Sequence, residues 1–172
     1  MPRLPIIVAP DPRLKLTSAK VARVDASVRR LMDDMLETMY VAPGIGLAAP
    51  QVGVPSRVIV LDVGKDDAPK EPLAMANPEL VWVSDEDATY EEGCLSVPEH
   101  YADVTRPARI RVRYLDRDGA GRELEADGLL ATVIQHEMDH LDGVLFIDHL
   151  TSLKRNMILR KLLKARKAEP VT

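Results

Sequence analysis

The chain's 172 residues, 46% hydrophobic and 29% charged, suit one soluble globular domain spanning 1–172, with a core large enough to fold without disulfide or metal staples. A net charge of -4 excludes a general affinity for nucleic acid. A single cysteine excludes an internal disulfide, and no long apolar run opens the chain, so the expected compartment is a reducing cytoplasm rather than secretion or a membrane.

Taken in order, Ile6 to Leu14 is apolar and then broken by Pro10 and Pro12, which reads as a short extended arm that turns. Asp25 is the expected N-cap of a helix on which Val28, Leu31, Met32, Met35, Leu36 and Met39 recur at helical spacing until Pro43 and Gly44. Methionine at that spacing reads as core, since aromatics are only 3% of the chain and the interior must be aliphatic. Gly44-Ile45-Gly46-Leu47-Ala48-Ala49-Pro50-Gln51-Val52-Gly53 follows, a run of small residues that is either a tight turn into a strand or a place where another backbone approaches closely. It lacks the Lys-Ser/Thr ending of a phosphate loop, and Gln51 is its one side chain equipped for chemistry.

Arg57 to Val63 has the pattern of a buried strand, Gly64 to Pro72 that of a charged loop, and Leu73 to Val83 that of one or two further strands. Thr89 to Pro98 is expected to be a strand that opens at Gly93 and stops at Pro98, with Cys94 at the break. Cys94 is therefore either an inert small hydrophobe or a thiolate ligand. Arg109 to Leu115 alternates as a half-exposed strand with solvated arginines, Asp118-Gly119 turns, and Arg122 to Ala126 returns. Asp127 is the expected cap of a helix, apolar nearly all round, that stops at Gly143. From Thr151 to Ala168 no acidic residue occurs among many lysines and arginines, so a basic amphipathic helix at about 151–167 is expected. Its charge serves either as a solvated face or as a contact for RNA phosphates or an anionic membrane.

The apolar helix carries Gln135-His136-Glu137-Met138-Asp139-His140. Histidines four apart lie one turn above each other on one face and can reach one metal ion, while Glu137, about 100° round, can deprotonate a water on it. The alternative is a pair of structural histidines with no ion. A catalytic site usually takes three protein ligands. Phe146 stands where a metzincin would place its third histidine, and the one downstream glutamate, Glu169, is three residues from the end, so a thermolysin-like ligand is absent too. The search for a third ligand turns upstream, to Cys94.

Gly44 to Gln51, Glu92-Gly93-Cys94-Leu95-Ser96 and His136 to His140, in that order, resemble the motifs of one family, peptide deformylase; the likeness runs from about Ile6 to Lys164. The resemblance implies an α+β fold in which short mixed strands wrap a central HExxH helix, with the Val28 to Tyr40 helix and the C-terminal helix packed outside. It implies that Cys94, His136 and His140 hold a divalent ion. The family commonly uses ferrous iron, and the same ligands accept zinc, nickel or cobalt. It further implies Glu137 as the base, with the Gln51 amide and the Leu95 backbone N–H stabilising a developing oxyanion. Backbone at Gly44, Ile45 and Gly46 would pair with substrate, and Val133, with Leu95 and Ile45, would line a methionine pocket. Glu92 would pair with Arg106. The implied substrates are N-formylmethionyl nascent peptides and the implied further partner is the ribosome, through the basic C-terminal helix. Pro50 and His100-Tyr101 depart from the family pattern, which bears on peptide preference beyond methionine. A zincin-type endopeptidase and a non-catalytic metal- or RNA-binding module are the alternatives; the latter leaves Glu137 and Gln51 without a task.

Overall fold

The computed structural model describes residues 3–64 and 69–168. The predicted loop from Gly64 to Pro72 therefore lies partly outside the described residues. Three α-helices, α1 (Ala26–Val41), α2 (Gly128–Leu141) and α3 (Ser152–Ala168), accompany seven strands. These are β1 (Gly46–Ala48), β2 (Val58–Leu61), β3 (Leu73–Val83), β4 (Asp87–Cys94), β5 (Val97–Pro107), β6 (Arg109–Leu115) and β7 (Gly121–Asp127). One sheet has five strands in the order β1-β2-β3-β6-β7, and β4 and β5 form a separate two-stranded ribbon. The fold is α+β, as expected, but its ladders are antiparallel where mixed strands were anticipated; the one parallel contact is an isolated bridge between Ala19 and Ser56. Consecutive strands joined by short turns can only run antiparallel, and β4 to β5 and β6 to β7 are joined in that way.

Side-chain alternation along β2 explains the layering. Ile59 and Leu61 face a cluster built with Ala131, Ile134 and Leu141 of α2, whereas Val58 and Val60 face one built with Met32, Met35 and Met39 of α1. Alternate residues of a strand point to opposite faces, so a four-residue run that is wholly buried needs a helix on each side. All three methionines are fully buried, which makes them core. α1 begins as predicted, with the Asp25 carboxylate accepting from the Val28 N–H at 3.0 Å. A third cluster joins the N-terminal arm (Ile7, Ala9, Leu14), β5 (Val97, Val104), Phe146 and the inward side of α3 through Leu162. α2 is thus enclosed by the large sheet on one side and touches the β4–β5 ribbon on another, and every residue from Ala131 to Glu137 is buried.

Two local expectations are corrected. The strand through Cys94 does not end at Pro98: after a turn at Leu95-Ser96 the chain returns as β5, which begins before Pro98 and runs to Pro107. Proline is tolerated there because it sits where pairing is interrupted and its missing N–H is not required. Asp127 occupies the N-cap of α2 but its side chain makes no capping bond. On α3, Ile158, Leu159 and Leu162 pack inward, whereas Leu153, Met157 and Leu163 are exposed. No helix among the described residues is long and apolar enough to cross a membrane.

Candidate metal centre

Three separate segments supply the site. β4 ends on Cys94, the 3-10 turn Ala49–Val52 after β1 presents Gln51, and α2 presents His136, Glu137 and His140. One donor atom each from Cys94, His136 and His140 lies within 4.8 Å of the others. Cys94 Sγ and His140 Nε2 are 3.4 Å apart. Around a four-coordinate ion with bonds of about 2.0–2.3 Å, donor atoms fall roughly 3.3–3.8 Å from each other, so the cluster has the right dimensions, and a thiolate with two imidazoles is a donor set suited to a divalent transition metal.

Second contacts aim these donors. The Glu92 carboxylate can only accept, so its 2.9 Å bond to His136 Nδ1 places a proton there and makes Nε2 the nitrogen that could face an ion. Glu92 in turn accepts from Arg106 Nε at 2.7 Å and Nη2 at 2.9 Å, as the predicted Glu92–Arg106 pair requires. Arg106 Nη1 donates to Asp139 at 2.8 Å, and Asp139 also takes His149 Nε2 at 2.8 Å. Asp139 and the Glu92–His136 bond were not anticipated. A signal for the second existed, because Glu92 and Cys94 are two apart on a strand and project to the same side. For Asp139 there was none, since only the fold brings Arg106 beneath α2.

Gln51 is held by both ends of its amide. Its Oε1 accepts from the Ala48 N–H at 2.9 Å, which assigns Nε2 to the other side, 3.0 Å from Ser96 Oγ and 3.4 Å from Cys94 Sγ. The donor therefore faces the cluster. Glu137 lies 3.9 Å from His136 Nε2 and 4.0 Å from His140 Nε2, near both without bonding either, and its Oε1 is buried with no partner among the described residues. That oxygen is placed to take a proton from something between it and the histidines.

Electrostatics follow from burial. Desolvation, with the Glu92 charge, pushes the Glu137 carboxyl up to about 7. Desolvation, with the His136 charge, holds His140 well below its ordinary value, the direction that a candidate metal ligand requires. His136 is also desolvated, yet the Glu137 charge and its bonds to Cys94 and Glu92 raise it well above the ordinary value. Such anionic surroundings call for positive charge at this spot, and a divalent cation supplies it.

The cluster closes the inner end of a cavity of about 700 Å³. Gly44, Ile45, Gly46 and Leu95 line one part of it; Val133 does not, being buried in the cluster between α2 and the sheet. Gly46 has a steric reason to lack a side chain, since a Cβ there would stand 2.5 Å from Glu137 Oε2. Gly46→Ala is therefore expected to keep the fold but displace the Glu137 carboxylate, lowering kcat by roughly 10²-fold, the scale set by small misplacements of reacting groups. A kcat equal to that of the parent, with the same metal content, would show that Glu137 does not need its present position.

Comparison with known proteins agrees with this geometry. The polypeptide deformylase family model matches residues 3–156. A peptide deformylase of Methylocella silvestris is 62% identical over 98% of this chain and 88% of its own length, and one of Agrobacterium fabrum is 57% identical over 96% and 97%. The crystal structure of peptide deformylase from Ehrlichia chaffeensis superposes with a TM-score of 0.92 at 41% identity, covering 96% of this chain and 98% of that one.

Proposed function

The chain belongs to the peptide deformylase family, and from that premise we infer that its Cys94–His136–His140 site serves the hydrolytic removal of the formyl group from the N-terminal N-formylmethionine of newly made proteins, releasing formate. The observation that carries this reading is the close grouping of a Cys-His-His donor set with a buried, unbonded carboxylate and a tethered amide donor at one end of a cavity.

Cys94, His136 and His140 would hold one divalent ion, ferrous iron in the cell by family resemblance, with zinc, nickel and cobalt accepted by the same donors. When bound, the ion supplies Lewis acidity, making water acidic enough to ionise near neutral pH and polarising a carbonyl. Glu137 takes the proton of the attacking water and then delivers it to the departing amine nitrogen. Gln51 Nε2 and the Leu95 backbone N–H donate to the oxygen that gains charge as hydroxide adds to the formyl carbon. β1 is an edge strand of the large sheet, paired only with β2, so backbone at Gly44, Ile45 and Gly46 can take an extended peptide as an added strand. The half-buried Leu95 and the exposed Ile45 offer apolar surface to the methionine side chain.

The test is anaerobic formate release from a formyl-Met peptide, with bound metal quantified in the same sample. Release that depends on one ion per chain, and a Cys94→Ala protein that neither binds metal nor releases formate, support the assignment. A fully loaded protein without release, or Cys94→Ala retaining both, sinks it.

We read residues 1–172 as one catalytic domain working in the cytoplasm, where formylated chains are made. The outward side of α3 combines exposed Leu153 and Met157 with Lys154, Arg160, Lys161 and Lys164, a surface suited to ribosomal RNA phosphates near the nascent chain. Charge reversal of Lys161 and Lys164 in the full chain should cut ribosome co-sedimentation and flatten its salt dependence; identical sedimentation across salt concentrations would exclude this face.

A further inference from the structure

The mouth of the cavity is built differently from its inner end. Gly93 of β4 pairs with Tyr101 of β5, but the next paired residues are Cys94 and Val97, so Pro98, Glu99 and His100 bulge out of the ribbon with no partners on β4. All three line the cavity, as does Tyr101. Glu99 adopts φ +67, a left-handed conformation that a residue with a side chain rarely takes and that glycine would take freely. Tyr101 is 67% exposed and its ring lies across Gly93, where a Cβ would stand 2.5 Å from the ring. Among the described residues no lysine or arginine lines the cavity, and the carboxylates that do are Glu137 at the inner end and Glu99 at the mouth.

We propose that Glu99 and Tyr101 make this mouth selective for substrates carrying a cationic side chain one or two residues after the formylated methionine, and against acidic ones. The proposal rests on the deformylase reading, because it assumes that the formyl group lies at the inner end. Tyr101 is opposite Gly93, the neighbour of Cys94, so it stands about one strand spacing, ~5 Å, from the ligand-bearing strand, and an extended peptide advances ~3.3 Å per residue. The second and third substrate residues are therefore the ones that pass it. A lysine or arginine there meets the Glu99 carboxylate and can lie over an exposed phenol ring, while a glutamate meets like charge with no compensating cation on the lining. Backbone strain held at Glu99 instead of being relieved by glycine is consistent with a task for that side chain.

Three peptide amides test it: formyl-Met-Lys-Lys, formyl-Met-Ser-Ser and formyl-Met-Glu-Glu, assayed side by side in one buffer. The expected order of kcat/KM is Lys, Ser, Glu, with a Lys-to-Glu ratio of about tenfold at low salt that shrinks at about 0.5 M salt. Glu99→Gln and Glu99→Gly should each reduce that ratio to about threefold or less; the glycine variant also relieves the backbone, so its folding is secure. Tyr101→Leu should reduce the advantage of Lys over Ser without abolishing it, since Glu99 remains, and should leave discrimination against Glu. A ratio near one in the parent protein, or one that survives both Glu99 variants, overturns the proposal. Formate from none of the three peptides overturns the deformylase reading itself, whereas equal formate from all three overturns only the selectivity.

Discussion

Replacing Glu137 with glutamine lowers kcat/KM for a formyl-Met peptide by about 10²–10⁴-fold, the range that a positioned general base contributes, while Cys94, His136 and His140 keep their ion. The same change makes the metal-free protein more stable at pH 8. Burial raises the Glu137 carboxyl from its ordinary 4.5 to about 7, so the folded state binds its proton more tightly than the unfolded chain does. Ionised Glu137 therefore costs stability, a cost that grows as pH rises from 4.5 and is complete above about 7. Glutamine, which never ionises, avoids it, and the expected gain is on the order of 1–3 kcal/mol above pH 7 and nothing near pH 4. Activity that falls while chemical stability rises is the mark of a group held for reaction rather than for folding. Denaturant unfolding of chelated protein at pH 4 and pH 8, beside metal-loaded kinetics, reads both effects. Unchanged activity, or a variant less stable than the parent at pH 8, would falsify the role given to this carboxylate.

Removing the guanidinium of Arg106 should have the largest effect on stability. Its side chain and that of Glu92 are 5% and 4% exposed, and it neutralises Glu92 and Asp139 together. Arg106→Ala leaves a buried carboxylate with only His136 as partner, which costs about 3–5 kcal/mol, or a melting temperature lowered by roughly 10 °C in a chain of this size. Glu92 is desolvated, yet its bonds from Arg106 and His136 outweigh that and set its carboxyl below the ordinary value. A depressed carboxylate stabilises the fold above its unfolded value near 4.5 and loses that contribution as pH falls through the lower folded value. The parent's stability should therefore decline in acid more than that of Arg106→Ala, and the gap between the two should narrow as pH falls below 4.5 through the lower folded-state value of Glu92. Because Glu92 also orients His136, metal should dissociate faster from the variant. A constant gap between the two proteins across pH would show that the pair adds nothing beyond packing.

Particular residues show what could be read from sequence and what could not. The i, i+4 histidines with Glu137 between them were legible because helical periodicity alone sets their shared face, and α2 presents them in that way. The course of β2 and the methionine face of α1 were legible for the same reason, since each is a local repeat with a buried side. The continuation past Pro98 was misread because proline ends a strand only where its N–H would have been used, and that depends on register with β4. Sheet direction was misread because neighbour relations in the sheet do not follow from patterns within a strand. Clearance at Gly46 could not be foreseen, since it is set by a carboxylate ninety-one positions later, at Glu137.

By itself the sequence determined the inventory and the local geometry: which atoms can ligate, accept a proton or donate to an oxyanion, and which of them share a helix face or a strand side. Spacing along the chain is sufficient for that, because backbone geometry repeats every few residues. Tertiary structure alone decided that Cys94 approaches His140, that Arg106 reaches beneath α2 to Glu92 and Asp139, and that Gln51 turns its Nε2 toward the site. Each of these depends on how sheet, ribbon and helix pack, a balance of burial and hydrogen bonding spread over the whole core, and no short stretch of sequence contains it.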